Sequence, residues 1–247
     1  MKPKILAVIP ARFASRRFPG KALSIIAGKT MLEHIYREVS EAKLIDRVVV
    51  ATDSEEIHSA TEAFGGEAVI TSKRHRTGSD RSAEVLQKLG GEILVSVQAD
   101  HLGVKSGDYD RVIRAMLISR DINYATIIKK IETEEHLYDP NRVKITLDSG
   151  DNALWFSRYP IPFLQGINGD RLSSFDFYYH IGVYFYRRAA LMKFHSWPRS
   201  RHEKAESLEQ LRILENREKI RAFKIKSAVI SIDTPEDLKA IKKLLLK

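Results

Sequence analysis

The chain has 247 residues, a net charge of +9 and no cysteine, which excludes disulfides, thiolate catalysis and cysteine-based zinc sites. Its length suits one large α/β domain, with or without an insertion, and is enough for a sizeable hydrophobic core. No apolar run reaches the ~18 residues of a membrane span, and the opening run passes straight into Pro10-Ala11-Arg12 rather than a cleavage site, so the chain reads as soluble and cytoplasmic.

Residues 4–9 read as a buried strand that stops at Pro10. The loop after it carries Arg12, Ser15, Arg16, Arg17, Gly20 and Lys21. Guanidinium forks and loop amides gathered in this way suit the oxygens of a polyphosphate. A helix over 31–42, a strand over 47–51 and a helix over 55–64 follow, the last closed by Gly65-Gly66. A short strand over 67–70, a helix over 80–89 and a strand over 93–97 continue the alternation. This rhythm predicts an α/β fold with a mostly parallel sheet covered by helices on both faces. Right-handed crossovers then line up the C-terminal ends of the strands along one edge, where ligands bind. Asp53 reads as the cap of the 55–64 helix rather than a catalytic group. Asp100 follows the 93–97 strand at that edge. It fits a turn former and, equally, a ligand of Mg²⁺, a hard cation that takes oxygen donors. Asp233 stands in the same way between a helix cap and a second metal carboxylate.

Beyond residue 124 the rhythm changes. Strands are predicted over 124–131, 143–147, 153–157 and 178–186, with Asp148-Ser149-Gly150-Asp151 as a hairpin turn. This half is expected to form a smaller mixed region that carries a second substrate and a dimer contact, with a mobile loop over 163–175. Alternation puts His180, Gly182 and Tyr184 on one face; from the residues alone, His180 reads as structural or as a contact to a hydroxyl-rich ligand. Arg158 leaves a strand into Tyr159-Pro160-Ile161-Pro162, either as a surface cation or as a bidentate partner for a carboxylate. A helix over 206–215 would stripe Leu208, Leu211 and Leu214 on one side. A last helix is capped by Thr234, with Pro235 as its first residue. His75, His101 and His202 are scattered, so no histidine metal cluster is expected.

Taken together, these residues resemble the 3-deoxy-manno-octulosonate cytidylyltransferase family, the CMP-KDO synthetases, nearly end to end. The resemblance rests on Pro10-Ala11-Arg12 through Pro19-Gly20-Lys21, Ala51-Thr52-Asp53, Thr77-Gly78-Ser79-Asp80-Arg81, and Val97-Gln98 with Asp100. It continues through Pro140-Asn141 with Val143-Lys144, residues 153–162, and His180-Ile181-Gly182-Val183-Tyr184. Leu208-Glu209-Gln210-Leu211-Arg212 and Asp233-Thr234-Pro235-Glu236-Asp237-Leu238 complete it. It implies a nucleotide-binding α/β core over 1–123 and 200–247, with a mainly sugar-binding and dimerisation region over 124–199. It implies transfer of a cytidylyl group from CTP to a 3-deoxy-octulosonic acid (KDO, or a modified KDO such as the 8-amino analogue), with release of pyrophosphate, for lipopolysaccharide synthesis. It further implies that Arg12, Ser15, Arg17 and Lys21 bind the triphosphate and that Ser79, Arg81 and Gln98 hold the cytidine. Arg158, His180, Tyr184, Glu209 and Gln210 would contact the sugar acid, Asp100 and Asp233 would bind Mg²⁺, and Lys21, Asp100 and Asp233 would carry the chemistry. The partners implied are CTP, a sugar acid and a second copy of the chain.

The chain departs from the family pattern after the central strand. It reads Gln98-Ala99-Asp100-His101-Leu102 where the family reads Gln-Gly-Asp-Glu-Pro, and residues 103–109 are also unlike the usual segment. Tyr179 replaces a basic residue, and Phe185 replaces a small one and is expected to narrow the pocket beside Tyr184. These departures favour an altered substrate preference, because Asp100, Asp233, Lys21 and Arg158 are retained. Two other readings remain at this level. One is a cytidylyltransferase for a nonulosonic, sialic-type acid, against which the 208–212 and 153–162 blocks speak. The other is a basic nucleic-acid binder without catalysis, suggested by Lys73-Arg74-His75-Arg76 and Arg199-Ser200-Arg201 but unsupported by any binding motif.

Overall fold

The computed structural model describes residues 4–13, 18–167, 169–232 and 236–239. In chain order it forms β1 (Ile5–Ala11), a 3₁₀ turn (Lys21–Leu23), the small ribbon β2 (Ile25–Ile26) and β3 (Lys29–Thr30), α1 (Met31–Ser40), β4 (Arg47–Thr52), α2 (Glu55–Ala63), β5 (Ala68–Ile70), α3 (Gly78–Leu89), β6 (Ile93–Val97), β7 (His101–Leu102) and α4 (Ser106–Ile118). The second half adds β8 (Tyr124–Lys130), α5 (Glu134–Tyr138), β9 (Lys144–Leu147), β10 (Ala153–Ser157), α6 (Arg171–Ser174), β11 (Tyr178–Arg187), α7 (Arg188–Ser196), α8 (Arg201–Glu206), α9 (Leu211–Glu215), β12 (Ile220–Lys224) and β13 (Ile230–Ser231).

One sheet runs through the molecule. Its first half, in the order β5-β4-β1-β6, is wholly parallel. β11 then joins antiparallel: its C-terminal half borders β6, its first residues border β9, and β8 runs along its other edge. β12 lies parallel outside β8, and β10 closes the hairpin with β9. The hairpin turn falls where Asp148 was predicted to make it: its Oδ1 accepts from the backbone N–H groups of Gly150 and Asn152 at 2.9 and 2.8 Å, an Asx-type closure.

Strand alternation builds the two faces. Along β1, Ile5, Ala7 and Ile9 pack with Met31, Leu32, Ile35 and Val39 of α1 and with Val112, Ile113 and Met116 of α4. Leu6 and Val8 face the other way, onto Val85 and Leu86 of α3, Leu191 and Phe194 of α7, and Leu211 of α9. Each such aliphatic side chain, buried fully, contributes about 1.5–3 kcal/mol, so the layered arrangement is fixed by the apolar pattern. Hydroxyl caps start the helices: Thr30 accepts from the Glu33 N–H and Thr77 from the Asp80 N–H, satisfying donors that a helix leaves open at its first turn.

Two local expectations are corrected. The predicted 206–215 helix is broken into α8 and α9 by Ser207, which sits at φ 54° and ψ 46°. This left-handed residue turns the chain so that Leu208 and Leu211 stay in the core while Glu209 and Gln210 face a cavity. The cap of α2 is Ser54, whose hydroxyl accepts from the Ile57 N–H; Asp53 instead binds Arg81. Thr234 and Pro235, proposed to start the last helix, lie outside the described residues.

A short ribbon completes the frame. β7 and β13 pair antiparallel, with His101 opposite Ser231 and Leu102 opposite Ile230. The N–H of Ile232 then donates to the Asp100 carbonyl at 3.0 Å. The residue preceding Asp233 is thereby held against Asp100.

Candidate active site

β6 ends at Val97 among buried neighbours, and the chain leaves it as Gln98-Ala99-Asp100 at the C-terminal edge of the parallel half. Gln98 is anchored by its N–H, which donates to the Gly182 carbonyl at 2.8 Å. Its side chain lies in a slot between two glycines. A Cβ on Gly182 would come within 2.9 Å of Gln98 Cγ, and one on Gly78 within 2.9 Å of Gln98 Nε2. Those approaches exclude any larger residue without displacement of Gln98.

Asp100 lies between two basic side chains. Lys21 Nζ reaches its Oδ2 at 3.4 Å and also donates to the Ile232 carbonyl at 2.9 Å. His101 Nδ1 is 2.7 Å from the Asp100 Oδ1. Burial opposes ionisation of Asp100, but His101 and Lys21 outweigh it and hold its pKa below the usual carboxylate range. The group is an ionised oxygen donor, the chemistry a hard divalent cation takes. Among the described residues no cluster of three or more acidic, histidine or cysteine side chains accompanies it; Asp233 lies outside them, as do Ser15 and Arg17.

A cavity of about 250 Å³ opens beside Asp100. It is lined on one side by Gln98, Asp100 and His101, and on the other by Arg158, His180, Tyr184, Glu209 and Gln210. The sequence therefore points correctly to one face for His180, Gly182 and Tyr184. Phe185, expected to narrow this pocket, faces the opposite way: it is fully buried with its ring 6.4 Å from that of Tyr109, as the period-2 alternation of β11 requires. Tyr179 is likewise buried, under the Arg142 guanidinium.

The cavity wall is polar and under-satisfied. Burial pushes His180 down to about 3, His101 adding to the effect and Asp100 opposing it, so its imidazole is neutral. His180 Nε2, Gln210 Nε2 and Glu209 Oε2 are buried without a hydrogen-bond partner among the described residues. Buried polar atoms normally find partners, so these three mark places where a hydroxyl-bearing ligand would be held. Tyr184 donates its hydroxyl to Gln210 Oε1 at 3.0 Å, and burial drives its pKa far up, keeping it a phenol. Burial also raises Glu209, against the hydroxyls of Ser79 and Thr77. Arg158 spans the rim: its Nε donates to the Glu206 carbonyl at 2.8 Å and its Nη1 to the Pro140 carbonyl at 2.9 Å.

The basic loop and α3 form the neighbouring wall. Arg12 Nη2 donates to the His75 carbonyl at 2.7 Å, and burial followed by the nearby Arg81 lowers its pKa, with Asp53 and Glu209 opposing. Ser79 is buried at the start of α3. Arg81 is wholly buried, with Nη2 2.7 Å from Asp53 Oδ2 and Nη1 on the Thr71 hydroxyl. Sequence reasoning assigned no site role to His101, Asn141 and Ser207, which also line the cavity. Asn141 had a signal in the Pro140-Asn141 pair; Ser207 had none, because its left-handed conformation depends on tertiary context.

The comparisons with known proteins agree with one another. A family model described as cytidylyltransferase matches residues 6–220. The chain is 43% identical over 244 residues to the 3-deoxy-manno-octulosonate cytidylyltransferase of Geobacter sulfurreducens, covering 96% of this chain and 97% of that protein. It is 38% identical to that of Solibacter usitatus, over 99% and 95% of the two chains. A solved CMP:2-keto-3-deoxy-manno-octonic acid synthetase complexed with CTP superimposes with a TM-score of 0.89 at 34% identity, covering 98% of each chain. A cytidylyltransferase structure from Leptospira borgpetersenii, with a TM-score of 0.66 at 17% identity over 98% of this chain and 87% of that one, shares the fold.

Proposed function

Because the chain belongs to the cytidylyltransferase family, we propose that it transfers the cytidylyl group of CTP to 3-deoxy-manno-octulosonate, releasing pyrophosphate. The anomeric hydroxyl of the sugar acid attacks the α-phosphorus of CTP. A new O–P bond forms, the bond to the β-phosphate bridging oxygen breaks, and the hydroxyl proton is lost. The observation that carries the reading is the single cavity in which Asp100, Arg158, His180, Tyr184, Glu209 and Gln210 meet beside Gln98 and Lys21.

The two reactants are both anionic, so the chain must bring like charges together and hold attacker and leaving group in line. Arg12, Ser15, Arg17 and Lys21 serve the triphosphate, whose oxygens gain charge as pyrophosphate departs. Gln98 and Ser79 serve the cytidine, with Arg81 supporting them from behind through Asp53 and Thr71. Arg158 takes the sugar carboxylate at the rim. Neutral His180, with Tyr184, Glu209 and Gln210, takes the sugar hydroxyls, where orphaned buried atoms give each hydroxyl a partner. A magnesium ion held by Asp100 and Asp233 would offset the phosphate charge and acidify the attacking hydroxyl. The nucleotide contacts come mainly from residues 1–123 and 200–247; the sugar contacts and a homodimer contact come mainly from 124–199. The reaction is assigned to the cytoplasm, where nucleoside triphosphates are held; among the described residues no helix is long and apolar enough to cross a membrane.

The test is pyrophosphate release from CTP and Mg²⁺ with a panel of acids: KDO, its 8-amino analogue and a nonulosonic acid. Turnover with an octulosonic acid well above that with the nonulosonic acid is expected. No CTP-dependent release with any octulosonic acid would overturn the proposal.

A further inference from the structure

The segment from Asp139 to Lys144 carries a charge the reaction does not account for. Lys144, on β9, is completely buried, and among the described residues no carboxylate forms an ion pair with it. Its Nζ donates to the Asp139 carbonyl at 2.9 Å. The next carbonyl, that of Pro140, accepts from Arg158 Nη1 at the same distance. Two cations therefore hold consecutive carbonyls of one loop. That loop is further closed by the Asn141 N–H on Asp139 Oδ1 at 2.8 Å and the Arg142 N–H on the Asp139 carbonyl at 3.1 Å. Asn141 faces the cavity, as does Arg158; Lys144 is not part of the cavity lining.

Burying an ammonium without a counter-charge is costly, and an unbranched apolar side chain would occupy the same space without that cost. The charge is retained where it can act only through the loop. We propose that Lys144 is a positioning residue: with Arg158 it fixes the 139–142 loop so that Asn141 and the Arg158 guanidinium are presented together to the acidic sugar. The inference rests on the reading of this cavity as a sugar-acid site. It adds a second layer of cationic support behind the residue that meets the carboxylate.

The surroundings give this role a pH signature. Burial draws Lys144 down to about 8; Asp139 opposes the shift, Arg158 adds to it, and Glu206 opposes it. Those are the charged groups that face it, from the loop, the end of β10 and α8; Tyr179, opposite it on β11, is a buried phenol engaged by Arg142. As pH rises through this range the ammonium becomes a neutral amine, and its charge-assisted hold on the Asp139 carbonyl weakens to that of an ordinary hydrogen bond.

The experiment measures KM for KDO and for CTP separately, from pH 7 to 9.5, in the wild type and in Lys144→Met, with the thermal midpoint of each. Lys144→Met is expected to keep or raise the thermal midpoint, to raise KM for the sugar acid about tenfold, as for a lost charge-assisted hydrogen bond, and to leave KM for CTP unchanged. The wild-type KM for the sugar acid should climb across this pH range, and that of the variant should not. An unchanged sugar-acid KM in the variant, or an equal rise in both KM values, refutes the role. If the variant does not fold, the wild-type profile decides: a flat sugar-acid KM from pH 7 to 9.5 refutes it, and a rise confined to that substrate supports it. A wild type that releases no pyrophosphate with KDO defeats the sugar-acid reading itself, and this inference with it, a result distinct from the others.

Discussion

Asp100 is the residue on which the proposed chemistry turns. It is kept ionised against burial by Lys21 at 3.4 Å and His101 at 2.7 Å. In Asp100→Asn the amide keeps the side chain's size and can still meet Lys21 or His101 with its oxygen, but it lacks the charge. Turnover should fall by about 100-fold or more, the scale of losing one electrostatic contact to a developing charge. The thermal midpoint should fall far less than turnover, because the Asp100 side chain keeps 28% of its exposure beside Lys21, and solvent-reached ion pairs contribute only about 1 kcal/mol. Steady-state pyrophosphate release and a melting curve check both halves. Near-normal turnover would rule out the role. His101 bonds the same carboxylate and packs near Gly182, so the departure from the family pattern falls on the wall of the cavity.

At the scale of elements, the slot for Gln98 depends on two glycines, Gly182 on β11 and Gly78 at the start of α3. Gly182→Ala places a methyl group 2.9 Å from Gln98 Cγ and 3.3 Å from His101 Nδ1. The side chain must shift, so KM for CTP should rise by about tenfold or more, the scale of one misplaced polar contact, with little change in stability; calorimetric CTP binding measures it. How far such arrangements can be read from sequence depends on what encodes them. The strands β1, β4, β5 and β6 are legible because parallel strands of this kind are short apolar runs with helices between them, and the structure repeats them within one or two residues; the small β2–β3 ribbon is not among the predicted strands. The 148–151 turn is legible because Asp and Gly there have a local mechanism. The break at Ser207 is not, because the helical stripe of Leu208, Leu211 and Leu214 is genuine and only tertiary packing chooses the left-handed turn. Phe185 shows the opposite error: alternation alone puts it away from Tyr184, and a family comparison at that position obscured the signal. Nothing in the sequence pairs Lys144 with Arg158, since what joins them is a loop's carbonyls.

For the whole molecule, five of the eleven large apolar side chains exposed among the described residues fall between 154 and 175. Tyr159 and Phe163 are 75% and 78% exposed, Leu154 58%, and Phe175 41%. Exposed apolar surface suits an interaction site, and these side chains fall in the segment proposed for dimerisation, while Ile118 (75%) and Ile25 (51%) stand outside it. Sedimentation equilibrium should give a dimer, and Phe163→Asp together with Tyr159→Asp should give monomers; a monomeric wild type contradicts the assignment. The sheet runs unbroken from the parallel half into β11, so β11 carries His180 and Tyr184 on the same framework that ends in Asp100.

The ribbon of β7 and β13 ties His101 to Ser231 and Asp100 to Ile232, across more than half of the chain. During synthesis, a ribosome-bound chain that has not yet exposed Ile232 already contains every cavity-lining residue, yet lacks the strand that braces Asp100 and the carbonyl that seats Lys21. Competence therefore arrives late and all at once. A truncated product ending before this strand would be able to fold most of its sheet and still leave CTP intact.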